Sequence, residues 1–241
     1  MKLKKWIPIV TTFLLLVAQV FAQTADEVVN KYFDAIGGKE KLASMKTMYS
    51  EGEVIIMNNP APFVTYTMDG KGYKIILDFN GQKIVNCYVV HSGWTVNPLA
   101  GIPDPVLMPA DQINIGQMAF DLKGPLFDYA AKGDKLELTG QEKLKDADVY
   151  NLKLTSRDST EMDFYIDAST FYLLKTVVKL KVGGNPFEMT TVNSDFQKTD
   201  FGLLMPFKQE VSYPGLTLTS TSKIIDINKS MDESVFAMAK K

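Results

Sequence analysis

Few residues in this chain have the chemistry to break or make a covalent bond. Cys87 and His91 stand four apart in KIVNCYVVHSG. On a helix that spacing would place a thiol beside an imidazole, the arrangement of an activated cysteine nucleophile. The surrounding Ile84, Val85, Val89 and Val90 are β-branched and argue for a strand. At about 3.3 Å per residue, two strand positions four apart lie about 13 Å from each other. The dyad is therefore set aside, with Cys87 read as a buried inert thiol and His91 as a surface residue at a strand end. His91 is the single histidine, which excludes the two-histidine zinc motifs of metallopeptidases and any multi-histidine zinc site. The sequence holds no GxSxG elbow, no GxxxxGK[ST] loop and no GxGxxG turn. Asp146, Asp148, Asp158 and Asp167 fall where turns are expected, and aspartate there serves local backbone hydrogen bonds. No enzyme chemistry, cofactor or metal is expected.

What the residues do support is apolar binding. Aromatics make up 11% of the chain and methionines number 12. Methionine is flexible and polarizable, and it suits surfaces that adapt to irregular ligands. Several strand segments carry apolar residues on both faces: Ile75 with Ile76, Ile84 with Val85, Leu173 with Leu174, Val177 with Val178. One face of a curved sheet could then pack helices while the other borders a cavity.

Hairpins dominate the elements that must position these residues. A helix opens the segment after residue 23. Thr24 and Glu27 form a capping box, Val28, Tyr32 and Ile36 recur on one stripe, and Gly37-Gly38 ends it. A short helical piece follows over 39–45. Tyr73, Ile75, Leu77 and Phe79 alternate before Asn80-Gly81, the strongest two-residue hairpin signal present. In FYIDASTFYLLKTVVKL, Phe164 and Ile166 share one face before a turn, and Tyr172, Leu174, Thr176, Val178 and Leu180 share one after it. Residues 98–133 break the rhythm: PLAGIPDPVLMPAD holds four of the eleven prolines and reads as loop, followed by two short helices over 110–121 and 125–131. Roughly eleven or twelve strands joined mostly by hairpins predict a mainly antiparallel sheet. No linker or repeat divides the chain, so one domain over 23–241 is expected, with the helical insert at about 98–133.

Residues 1–22 read as an export signal: Lys2, Lys4 and Lys5, then an apolar run, then small residues up to Ala22. No cysteine adjoins that boundary, so no lipid anchor is expected and the exported chain should be soluble. Formal charge is mild, with 26 basic and 28 acidic residues, and Arg157 is the lone arginine. Bidentate phosphate recognition favours arginine, so nucleic acid is not an expected partner.

The helix ADEVVNKYFDAIGGKEKLASMKTM, the hairpin DFYIDASTFYLLKTVVK and the ending DFGLLMPFKQEVSYPGLTLTSTSKIIDINKSMDESVF together resemble the LolA/LolB-like family of periplasmic lipoprotein carriers. The likeness is strongest to the outer-membrane lipoprotein-sorting proteins of Bacteroidota. It implies an α+β, mainly β architecture: a single antiparallel, strongly curved half-barrel of about eleven strands, closed by helices as a lid. It further implies a periplasmic, monomeric carrier that holds acyl chains of lipoproteins or other lipids. A membrane-bound donor and an acceptor protein would be its partners. The ligand-facing candidates are Tyr73, Ile75, Leu77, Tyr88, Val90, Trp94, Leu126, Phe127, Phe164, Ile166, Leu174 and Val178. The alternative is an envelope-stress sensor or protein-interaction domain of the same fold. The chain departs from the membrane-anchored receptors in lacking a lipidation cysteine. It departs from the soluble chaperone in having no arginine over 47–57.

Overall fold

The computed structural model describes residues 23–182 and 184–238; the expected export signal lies outside them. Helix α1 spans Ala25–Ala35 and α2 spans Lys39–Ala43. Both halves of the expected capping box are made: Thr24 Oγ1 accepts from Glu27 N–H at 3.2 Å, and Glu27 Oε2 accepts from Thr24 N–H at 3.0 Å. Gly37 and Gly38, at φ 118° and 103°, end the helix in a conformation that side chains resist. The Gly38 N–H turns back to Phe33 O.

Strands β1 Thr47–Ile56, β2 Asn59–Met68, β3 Gly72–Phe79, β4 Gln82–Val89, β5 Ser92–Asn97 and β6 Ile102–Leu107 follow as consecutive hairpins. Then come α3 Ala110–Gln117, a 3-10 turn Met118–Phe120 and α4 Tyr129–Lys132. A second run completes the chain: β7 Lys135–Leu144, β8 Ala147–Thr155, β9 Glu161–Asp167, β10 Leu173–Val182, β11 Asn185–Lys198, β12 Leu204–Tyr213 and β13 Leu216–Ile227. A last 3-10 turn covers Glu233–Phe236. All thirteen strands form one antiparallel sheet in the order β6-β5-β4-β3-β2-β1-β13-β12-β11-β10-β9-β8-β7. The sheet is not closed: β6 and β7 are its two edges.

Thirteen strands replace the expected eleven or so. The clearest addition is β6, inside the proline-rich stretch that reads as loop. Pro103 and Pro105 lack N–H donors, but an edge strand needs donors on only one side, and residues two apart aim the same way. The turn after β4 takes in the histidine expected at a strand end. It is Val90-His91, with His91 at φ 59°, and Ser92 already begins β5.

The main core lies on one face of the β7–β10 half. Val28, Val29 and Phe33 of α1, Leu42 of α2, and Leu126 and Phe127 of the insert pack onto Tyr150, Leu152, Leu154, Phe164, Ile166 and Val178. We call this the inner face. Strand register carries it across the sheet: Met162 pairs with Val178, Val178 with Met189, Thr191 with Val211, Val211 with Leu218, Val54 with Ala61, and Phe63 with Leu77.

Candidate functional site

On the other half of the same inner face, cover among the described residues is limited to α3 at one end. Here a groove of about 480 Å³ is lined by alternate residues of six strands. Strand β1 supplies Met48, Ser50, Val54 and Ile56, and β2 supplies Phe63 and Thr65. From β3 come Tyr73, Ile75 and Leu77, and from β4 Ile84, Asn86 and Tyr88. Gln209, Val211 and Tyr213 of β12 and Leu218, Ser220 and Ser222 of β13 form the opposite wall. Five strand steps separate β4 from β12, about 24 Å in a flat sheet. Both line one small groove, so the sheet curls strongly here.

The floor is packed, with Val54, Ala61 and Phe63 buried and Ile75, Leu77 and Leu218 partly covered against them. One end is capped by α3. A Cβ on Gly116 would collide with the Tyr88 ring, so only glycine allows this approach. Asp69 ties the insert down by accepting from Leu122 N–H at 3.2 Å and pairing with Lys123. At the opposite end lie the β1–β2, β3–β4 and β12–β13 hairpin tips, where Met57 is 84% exposed. Beside the groove, a wider cleft of about 1070 Å³ is bordered by Met118, Met162, Leu180 and Phe187 together with polar and charged groups of the β8–β9 and β10–β11 regions. The Phe187 and Tyr213 rings, 6.1 Å apart, join the two spaces.

Tyr73 and Tyr88 stack at 6.4 Å across adjacent strands. Burial pushes the phenols of Tyr73, Tyr88 and Tyr213 above their ordinary range, so they stay protonated donors.

The structure sorts the twelve candidates into five places. Tyr73, Ile75, Leu77 and Tyr88 line the groove. Leu126, Phe127, Phe164, Ile166 and Val178 are on the inner face but sealed in the core beneath α1. Val90 sits in the β4–β5 turn, half exposed. Trp94 lies on the outer face, where its Nε1–H donates to Phe236 O at 3.0 Å. Cys87 is buried beside it, its thiol pushed up to about 11 by burial. Leu174 falls in a β-bulge between Leu173 and Lys175. The bulge gives Leu173, not Leu174, the core-facing place opposite Ile166. Val177, also expected outside, is buried there beside Asp163, whose carboxylate accepts from Lys179 at 2.7 Å. Sequence reading missed the β12 and β13 walls. Their signal was present in the alternation of Gln209, Val211 and Tyr213.

Asp158 and Asp167 do what turn aspartates do. Asp158 accepts from Thr160 N–H at 3.2 Å, and Asp167 from Ser169 and Thr170 N–H at 2.9 and 2.7 Å. Among the described residues no group of three His, Cys, Asp or Glu side chains could hold a metal, and no helix is long and apolar enough to cross a membrane.

Comparison with solved structures matches a LolA superfamily protein from Nitrosomonas europaea at TM-score 0.56 and 13% identity, over 90% of this chain and 98% of that one. The chain has the LolA-type fold. A DUF1329 family protein from Desulfovibrio piger matches at TM-score 0.58 and 13% identity, over 90% and 98% of the two chains. An outer membrane lipoprotein-sorting protein domain from Vibrio parahaemolyticus, described as putative, matches at TM-score 0.54 and 11% identity, over 87% and 94%. No family model and no curated protein matches by sequence.

Proposed function

We propose that the protein is an exported, non-enzymatic carrier that holds acyl chains of lipoproteins or other lipids in the inner-face groove and moves them toward the outer membrane. The observation that carries this reading is the unequal cover of one sheet face. Helices fill the β7–β10 half, while the β1–β4, β12 and β13 half keeps an open, largely apolar groove. Its volume of about 480 Å³ falls in the range of small-molecule sites. About ten methylenes taken from water contribute about 8 kcal/mol gross, enough for reversible holding once the costs of association are met. The insert acts as the lid in this reading, supported by the seat of α3 on Tyr88. The shared fold with a lipoprotein-sorting domain supports a periplasmic setting and lipid partners.

The test is native mass spectrometry with lipid extraction on protein purified from its own cell envelope. Co-purifying acyl species support the carrier. Their absence, together with no uptake of an apolar fluorophore, rejects it.

A further inference from the structure

We propose that the groove selects uncharged acyl ligands bearing ester or amide carbonyls, and excludes free carboxylate or phosphate groups from its interior. The inference rests on the carrier reading and specifies its ligand. Two observations carry it.

First, among the described residues the groove lining contains no charged side chain. The strands do carry charges, but register sends them to the outer face. Glu53 meets Lys223 there at 2.7 Å, Asp78 lies opposite Lys83, and Lys74 donates to Val235 O at 2.9 Å. A carboxylate or phosphate drawn into the groove would lose water and gain no counter-ion, a cost that keeps anions out.

Second, the lining is not simply greasy. Among the described residues it holds more neutral hydrogen-bonding capacity than they use. Asn86 Oδ1 accepts from Thr95 Oγ1 at 2.8 Å, which leaves the Asn86 amide N–H groups to point elsewhere. Gln209 spends its Nε2 on Asn193 at 3.0 Å. Among the described residues no protein group bonds the phenol oxygens of Tyr73, Tyr88 or Tyr213. A hydrocarbon chain has no use for these donors. An ester or amide carbonyl does, and it brings no charge to pay desolvation on. Phenols held protonated by burial remain donors through and beyond neutral pH.

The experiment loads the purified protein with N-phenyl-1-naphthylamine, a neutral apolar fluorophore, and displaces it at pH 8. Competitors are a fatty acid, its methyl ester and its monoacylglycerol, all of one chain length. The ester and the monoacylglycerol should compete at about tenfold lower concentration than the ionised acid. The triple variant Y73F/Y88F/Y213F keeps the rings and removes only the hydroxyls. Its thermal melt reports the fold, and its ester affinity relative to its fluorophore affinity should fall about three- to tenfold. Equal competition by acid and ester, or unchanged ester affinity in the triple variant, overturns the proposal while leaving a non-selective carrier standing. No fluorophore uptake at all overturns the carrier reading and this inference with it.

Discussion

Leu152 and Leu77 both sit on the inner face of the same sheet, and changing each to alanine separates core from groove. Leu152 is fully buried beneath α1. Its truncation removes about three carbons of buried volume and leaves a sealed void, for which leucine-to-alanine changes cost about 2–5 kcal/mol. Taking about 3 kcal/mol, a domain of this size should melt about 6–12 °C lower. Leu77 is half-buried and lines the groove. Truncation there makes no sealed void, because the freed space opens into one of about 480 Å³ that already exists. Only part of the transfer term is lost, about 1 kcal/mol, or a fall of about 2–4 °C. Circular dichroism melts give the two shifts, and fluorophore titration gives the binding side. Leu152→Ala should melt early yet bind normally while folded. Leu77→Ala should keep its fold and bind differently. If Leu77→Ala costs as much as Leu152→Ala and binding does not change, the groove lining is ordinary core and the reasoning fails.

Three further outcomes follow from the same geometry. Phe236→Ala uncovers Trp94 and loosens the C-terminal turn that caps it; fluorescence should shift to the red and stability should fall by about 3 kcal/mol. The Tyr32 phenol is pushed up to about 12 by burial, so the fold favours its neutral form. That contribution is whole below pH 10 and is lost as pH rises through 12, and Tyr32→Phe should flatten this part of the Tm-against-pH curve. Asp69→Ala removes the Lys123 ion pair and the Leu122 N–H acceptor. It should cost about 1–2 kcal/mol and make residues 108–124 cut first in limited proteolysis.

Local signals in the sequence were read correctly where the physics is local. The Thr24–Glu27 capping box forms as its spacing predicts. Asn80-Gly81 turns with both residues at positive φ, 54° and 79°. The period-2 alternation of Tyr73, Ile75 and Leu77 does mark one face. What failed depended on distant chain. Proline argued against β6, yet proline is tolerated when the strand has a free edge, and edge position is a property of the whole sheet. Leu174 was assigned inward by counting from Leu180, and one bulge reversed the count. Trp94 is expected to face the ligand, but both faces of β5 find cover, and the outer one is covered by Phe236, which is 142 residues further along the chain.

The division between filled and open inner face has the same origin. Strands β3 and β4 are no less apolar than β8 and β9, so their patterns alone do not say which pair stays bare. The decision lies in how much chain is left over to cover them. Each strand pairs with the next in sequence except β6 and β7, which lie at opposite edges. Those edges would stand about 58 Å apart in a flat sheet of thirteen strands. Residues 108–134 join them, much of that length wound into short helices that advance only about 1.5 Å per residue. Curling shortens that path and at the same time creates a concavity. Among the described residues, α1, α2 and this one crossover are what enters it. Helices α1 and α2, with Leu126 and Phe127, pack on β7–β10, Leu204 N–H at the start of β12 reaches Ile36 O, and α3 sits on Tyr88 at one end of the groove. Beyond the end that α3 caps, no described segment covers the groove, and its largely apolar lining is the surface that the proposed carrier would offer a ligand.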